Sequence, residues 1–382
     1  MKKILIFGPI GDQGGRELET GFIAKSLSKD FEVRVLSSGN LTSKSQIFDF
    51  IPTDKVLTLN QLIYKSSIWF RFLAFVSALK SNKIINKFSF VSNSVARKTG
   101  YRTYAIKKIQ NEVLQSDLII LCAQLSSNYL EEIVSIAKKK GIKTVLRTSM
   151  TIKEADIQNK DWLSDISLFI HHSLSNAQKL NSISNYNFKL IDQCTYSEFE
   201  MLNLSLPKKI STFLYAGRIS EEKGILEFVN CFKKVGQDFK LIIIGDGPLS
   251  AELISKTNSL DNITYLGFKP YEELTEFKKK SDVIVIPSYE ESGPLIGLEA
   301  MASARLIIST KVGAMPERLK DLKNQFWIKA NDCQSIEKIL IKLTELSDQE
   351  VTSIALENRI RYQKHYLKEH ISGQYKNAIF NL

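Results

Sequence analysis

Short runs of aliphatic and β-branched residues alternate along this chain with longer amphipathic stretches, and that alternation restricts the fold more than any other feature. "KILIFG", "FEVRVLS", "DLIILCA", "IKTVLRT" and "ISLFIHHS" read as buried strands in the first half. "STFLYAGR", "FKLIIIGDG", "NITYLGF", "DVIVIPS" and "RLIIST" do so in the second. Between them lie helical stretches such as "GRELETGFIAKSLSKD", "LEEIVSIAKKKG", "GILEFVNCFKKVG", "PYEELTEFKKKS" and "GLEAMASA". Buried strands separated by helices predict parallel sheets with helices on both faces. The pattern restarts after a polar stretch at 181–209, where "NLSLPKK" reads as a linker. A chain of 382 residues is long enough for two cores, so two tandem doubly wound, Rossmann-like α/β domains are expected. The expected spans are 1–185 and 186–360, followed by a helical tail at 361–382. Ligands of such sheets bind beyond the carboxyl ends of the strands, which makes an interdomain cleft the expected site.

Hydrophobic content of 43% with 24% charged residues fits a soluble globular enzyme. Cys122, Cys194, Cys231 and Cys333 show no CxxC pair and no metal-ligand spacing, so they are expected to be reduced and buried, as in a cytoplasmic protein. The apolar part of "MKKILIFGPIG" is too short for a signal peptide and reads as the first strand. No window offers the roughly 18 apolar residues of a membrane span. The net charge of +11 is unevenly placed. From Lys55 to Asn111 there is no Asp or Glu, and the segment carries eleven Lys and Arg, Lys83 among them. Within it, "SSIWFRFLAFVSALKSNKIINKFSF" mixes large apolar and basic residues, a pattern suited to an anionic membrane surface across segment 62–108. The alternative is a set of helices that bury their aromatics and leave the cations in water; a nucleic-acid partner is not expected.

The loops after the strands carry the chemistry. "FGPIGDQGGRE" brings Gly14 and Gly15 to the end of the first strand without GxGxxG spacing, so a dinucleotide fingerprint is poorly supported. In "YAGRISEEKGILEF", Arg218 follows Gly217 at a strand end and Lys223 comes shortly after; two cations there suit a diphosphate, unless Glu221 and Glu222 merely balance them. Gly245 in "IIIGDGPL", and Gly267 with Phe268 in "YLGFKPYEEL", are plain turns or backbone contacts for a nucleobase. "PSYEESGPLIGLEAMA" sets Glu291 before a helix and Glu299 inside it, facing a polyhydroxylated ligand or, for Glu299, a cation in the core.

Taken in order, "GRISEEKG", "GDGP", "YLGF", "PSYEESGPLIGLEAMA" and "KVGAMPE" resemble the C-terminal domain of retaining, nucleotide-sugar-dependent glycosyltransferases of family 4, which have the GT-B fold. Glu291 and Glu299 match that family's E-x7-E motif. The resemblance implies that Arg218 and Lys223 bind the donor diphosphate, that Glu299 bonds the ribose, and that Glu291 contacts the transferred sugar. It implies further donor contacts from Gly14, Gly15, Gly217, Gly245, Gly267 and Phe268, and from the N–H groups of Leu295 and Ile296. No metal is expected, because no DxD motif occurs, and the donor is a substrate rather than a cofactor. The last helix is expected to return to the first domain. The acceptor is expected to be a sugar or a lipid-linked sugar at the cytoplasmic membrane face.

Three departures from that pattern stand out. Gly293-Pro294 replaces a usual Phe-Gly, Arg147, Thr148 and Ser149 occupy a region where many members carry a His, and His171 and His172 follow a strand that usually ends in a Ser turn. A nucleotide-sugar epimerase of the same fold and an inactive sugar- or membrane-binding homologue are the competing readings. A glycoside hydrolase using Glu291 and Glu299 is disfavoured, since Arg218 and Lys223 would then have no role.

Overall fold

The computed structural model describes residues 1–80 and 87–382; Lys83 of the basic segment lies outside them. The chain divides into two compact units. The first comprises Met1–His171, Ala177–Ile191 and Ser372–Leu382; the second comprises His172–Asn176 and Asp192–Ile371.

In the first unit the strands are β1 (Lys3–Gly8), β2 (Glu32–Ser37), β3 (Val56–Thr58), β4 (Leu118–Ala123), β5 (Lys143–Thr148), β6 (Leu168–His171) and β7 (Phe188–Leu190). They form one parallel sheet in the order β3-β2-β1-β4-β5-β6-β7. β4 is buried along its whole length, as a parallel strand covered on both faces must be. Phe7, Ile119, Leu121, Leu146 and Phe169 form the centre of this core. Each such burial contributes about 1.5–3 kcal/mol.

The second unit holds β8 (Thr212–Ala216), β9 (Lys240–Ile244), β10 (Ile263–Tyr265), β11 (Val283–Ile286), β12 (Leu306–Ser309) and β13 (Phe326–Trp327). Its sheet is also parallel, in the order β10-β9-β8-β11-β12-β13. Sheet growth reverses between β8 and β11, and the loops leaving these two strands flank the topological switch point.

All ten strands expected from the sequence are present. The additional ones are short: β3 and β7 have three residues each and β13 has two. The polar stretch at 181–209 contains β7 and the helix Glu198–Leu202, while the part read as a linker, 203–209, has neither helix nor strand.

The expectation of four reduced cysteines is corrected. Cys231 and Cys333 form a disulfide, while Cys122 and Cys194 are buried thiols outside it. The helices Ile225–Val235 and Cys333–Thr344 pack side by side, which brings the two Cα atoms within 5.1 Å despite a separation of 102 residues. Burial pushes the Cys122 thiol up to about 12.

Candidate active site

The site builds up from the ends of β8 and β11. Beyond β8 the chain runs through Gly217 and Arg218 into a short turn, Glu221–Lys223, and then into the helix Ile225–Val235. Tyr215 fixes the start of this loop by donating its hydroxyl to the Arg218 carbonyl at 2.7 Å. Burial, with Glu291 and Glu222 adding to it, holds the Tyr215 phenol well above its ordinary pKa, so the donor proton is present at neutral pH. The Arg218 side chain is exposed.

Two backbone contacts lock this loop to the one after β11. The Tyr289 N–H donates to the Glu222 carbonyl at 2.9 Å. Gly224 sits at φ +63, and a Cβ there would collide with the Pro287 carbonyl, so glycine is required on both counts. From the other side the Thr310 hydroxyl donates to the Ser288 carbonyl at 2.6 Å.

Within that frame Lys223 Nζ lies 2.5 Å from Glu291 Oε1, and the Ser288 hydroxyl donates to the same oxygen at 3.2 Å. Both charged side chains are mostly buried, at 24% and 17% exposure, so neither is a freely solvated surface charge. Glu291 Oε2 has no partner among the described residues. Lys223 is therefore balanced by Glu291 rather than by Glu221 or Glu222. Glu222 is engaged elsewhere: its carboxylate accepts the Ser220 hydroxyl at 2.7 Å, which holds its pKa below the usual carboxylate range.

The helix Leu295–Ala302 starts four residues after Glu291. Its first N–H groups, those of Leu295 and Ile296, have no intrahelical partner and carry the positive end of the helix dipole. Arg318, fully buried, supports this helix start. It donates to the Pro294 carbonyl at 2.5 Å and to both oxygens of Asp192 at 2.6 and 2.8 Å. Burial opposes charge on Arg318, and the Asp192 carboxylate more than offsets it.

Glu299 is placed differently from Glu291. It is 3% exposed, and its Oε2 lies 2.9 Å from Nζ of Lys278, which is fully buried at the end of the helix Leu274–Lys279. Tyr271 closes over the pair, its ring 5.8 Å from Lys278 Nζ. Glu299 Oε1 is buried with no hydrogen-bond partner. The structure thus realises the core-cation alternative for Glu299. Sequence reasoning missed Lys278 because it opens a run of three lysines, "KKK", which reads as a solvated patch.

The remaining predicted donor residues of this unit cluster at the ends of β9 and β10. The Gly217 N–H donates to the Ile244 carbonyl at 3.0 Å and the Gly245 N–H to the Gly267 carbonyl at 2.9 Å, so these turns are tied side by side. Phe268 follows with 54% of its surface exposed.

In the first unit the Gly14 N–H is taken by Gln46 at 2.9 Å, while space is open around Gly15. Arg147 does not reach a site at all. It is 1% exposed and paired with Glu19 at 2.5 Å, to which the Tyr375 hydroxyl also donates. Thr148 bonds His171 Nδ1 at 2.8 Å, which gives His171 a structural role. A cavity of about 260 Å³ opens at the ends of β4 and β5, lined by Gln124, Ser126, Thr148, Ser149, Met150 and Asp156, among others.

A half-buried Lys–Glu pair, an exposed Arg and a helix start all lie on loops at the switch point of the second sheet. Residues 197–363 match the family described as glycosyl transferases group 1. The fold is that of the GT-B glycosyltransferases. HepE of Anabaena, solved with UDP and glucose, superposes with a TM-score of 0.71 over the whole of both chains at 15% identity. Among sequence relatives, an uncharacterised glycosyltransferase of Methanocaldococcus jannaschii is 25% identical over 52% of this chain and 58% of its own. The N-acetyl-alpha-D-glucosaminyl L-malate synthase of Bacillus anthracis is 24% identical over 69% of this chain and 72% of its own. The amylovoran biosynthesis glycosyltransferase AmsK of Erwinia amylovora is 27% identical over 46% of each. The chain thus spans from about half to about three quarters of these relatives' lengths.

Proposed function

We propose that this protein is a retaining, metal-independent family 4 glycosyltransferase. It moves a sugar from a nucleotide-diphosphate sugar to a sugar or lipid-linked acceptor, in surface polysaccharide or glycolipid synthesis at the cytoplasmic membrane face. The observation that carries this reading is the Lys223–Glu291 pair, with Arg218 on the same loop as Lys223, at the switch point of the second sheet. As the bond from the sugar's anomeric carbon to the diphosphate breaks, the electron pair stays on the phosphate oxygen, an acceptor hydroxyl oxygen bonds to the anomeric carbon, and its proton passes to the departing diphosphate. Arg218, Lys223 and the N–H groups of Leu295 and Ile296 stabilise that charge. Glu291 Oε2 accepts a hydroxyl of the transferred sugar. Glu299 is a ribose contact by resemblance alone, since its Oε1 is buried and Lys278 holds Oε2. Gly217, Gly245, Gly267 and the exposed Phe268 border the base. Gly14 and Gly15 are donor contacts by resemblance alone, and the hydroxyl-rich cavity after β4 and β5 suits a sugar acceptor. AmsK, whose name places it in amylovoran biosynthesis, supports the polysaccharide setting.

The test is to incubate the protein with a panel of nucleotide sugars and candidate acceptors, with and without EDTA. Release of nucleoside diphosphate and an α- or β-configured product that keeps the donor's configuration supports the reading. Epimerised free nucleotide sugar appearing without acceptor overturns it in favour of the isomerase.

A further inference from the structure

We propose that the helix Ile68–Leu79 docks this protein on an anionic lipid surface, laying one apolar face among the headgroups while neighbouring cations engage lipid phosphates. The proposal rests on the membrane-face reading above and names the element that performs it.

The helix is held on one side only. Phe70, Leu73 and Ala74 are buried in the core of the first unit, where Phe70 packs against the rings of Tyr101 and Tyr104. The Ser67 hydroxyl caps its start, and the Asn93 amide donates to the Leu73 carbonyl and the Ser77 hydroxyl. On the other side Ile68, Trp69, Phe72, Phe75 and Leu79 are exposed by 82, 50, 55, 61 and 72%. At 3.6 residues per turn these five fall within an arc of about 120°, opposite the buried three. Scattered exposed apolar residues need no explanation, but a contiguous stripe of large ones on a well-anchored helix marks an interaction surface.

Charge selects the partner. Arg71 and Lys80, both exposed, border the stripe on its two sides. Lys65, Arg97 and Lys98 are exposed nearby in sequence, and no Asp or Glu occurs between Lys55 and Asn111. A second copy would bring two basic faces together, which is unfavourable, whereas an anionic bilayer offers both apolar depth and phosphate. A nucleic acid would meet the cations but leave the stripe in water. Twelve residues rise about 18 Å, short of the roughly 30 Å hydrocarbon core, so the helix lies in the interface rather than across it. The preceding helix Leu59–Ser66 meets it with a bend of 112°. Trp69 suits the headgroup level by its amphipathic ring.

The experiment is flotation of the full chain with vesicles of phosphatidylcholine alone and with phosphatidylglycerol added, at low and high salt. Wild type and F72S/F75S are compared; a thermal melt without ligand verifies that the variant is folded, and the same melt with nucleoside diphosphates reads nucleotide binding separately. The expected result is binding to anionic vesicles at low salt that falls about tenfold or more in F72S/F75S and weakens in high salt. A blue shift of Trp69 emission on vesicle addition, absent in Trp69→Phe, would accompany it. No binding at low salt, equal binding by F72S/F75S, or a dimer abolished by F72S/F75S without vesicle binding overturns the proposal. If vesicles bind but no nucleotide does, docking stands and the sugar-transfer reading falls; the reverse outcome separates them the other way.

Discussion

Among single residues, Arg218, Lys223 and Glu291 carry the proposed diphosphate chemistry. Each stands at the end of a strand where backbone contacts fix its loop before any ligand arrives, so little reorganisation is needed when charge develops on a diphosphate. Replacing Lys223 or Arg218 with Ala is expected to lower kcat by about 10²–10³, with far less effect on the melting temperature. Steady-state kinetics beside a thermal melt check this, and unchanged kcat in either variant removes that residue from the chemistry. The departure at Gly293-Pro294 also has a local cause. A Cβ at Gly293 would lie 2.8 Å from the His172 Cβ and 3.2 Å from Arg318 Nη2. His172 therefore occupies the room that a larger side chain at 293 would need. Gly293→Phe is expected to destabilise the second unit by about 1–3 kcal/mol through overpacking, and His172→Gly in the same chain, which removes the clashing Cβ, to recover part of that loss. Denaturant melts of the single and double variants measure it; independent, additive effects would contradict the coupling.

At the scale of elements, the disulfide makes a countable prediction. Under denaturing conditions without reductant the chain is expected to show two reactive thiols, Cys122 and Cys194, and four after reduction. In the native state neither Cys122 nor Cys194 is expected to react at pH 8, since both are buried and the Cys122 thiol ionises only far above that pH. Thiol titration with a chromogenic disulfide reads all three counts. The sequence showed the major strands clearly, because β4 or β11 is a run of aliphatic residues that has no other stable use. It hid β3, β7 and β13, whose two or three residues are too few to show a period, and it hid every pairing made by tertiary packing. Cys231 and Cys333 carry no spacing signal across 102 residues. Lys278 looks like any lysine in a charged run until the helix Leu274–Lys279 turns it inward to Glu299. Arg147 sits near the end of β5, in the right region for a site, yet the side-chain alternation of the strand sends it into the core beside Glu19. The loop motifs were legible for the opposite reason: Arg218, Lys223 and Glu291 lie on loops that follow strand ends, where sequence order and spatial order coincide.

At the scale of the whole molecule, each unit has its own parallel sheet and core, and the charge is concentrated in one of them. The first unit carries the basic segment and the exposed helix face, and the second carries Arg218, Lys223 and Glu291. The central claim is that the switch point of the second sheet binds a nucleoside diphosphate through Lys223 and Arg218. Its most direct test is a thermal-shift titration of the full chain with UDP, GDP, ADP and their sugar conjugates, repeated on Lys223→Ala. The account predicts that one nucleotide family stabilises the wild type, by about 2.7 kcal/mol at a ligand concentration near 100 times Kd, and that Lys223→Ala needs a much higher concentration for the same shift. No stabilisation by any nucleoside diphosphate, or an identical titration with Lys223→Ala, would contradict it.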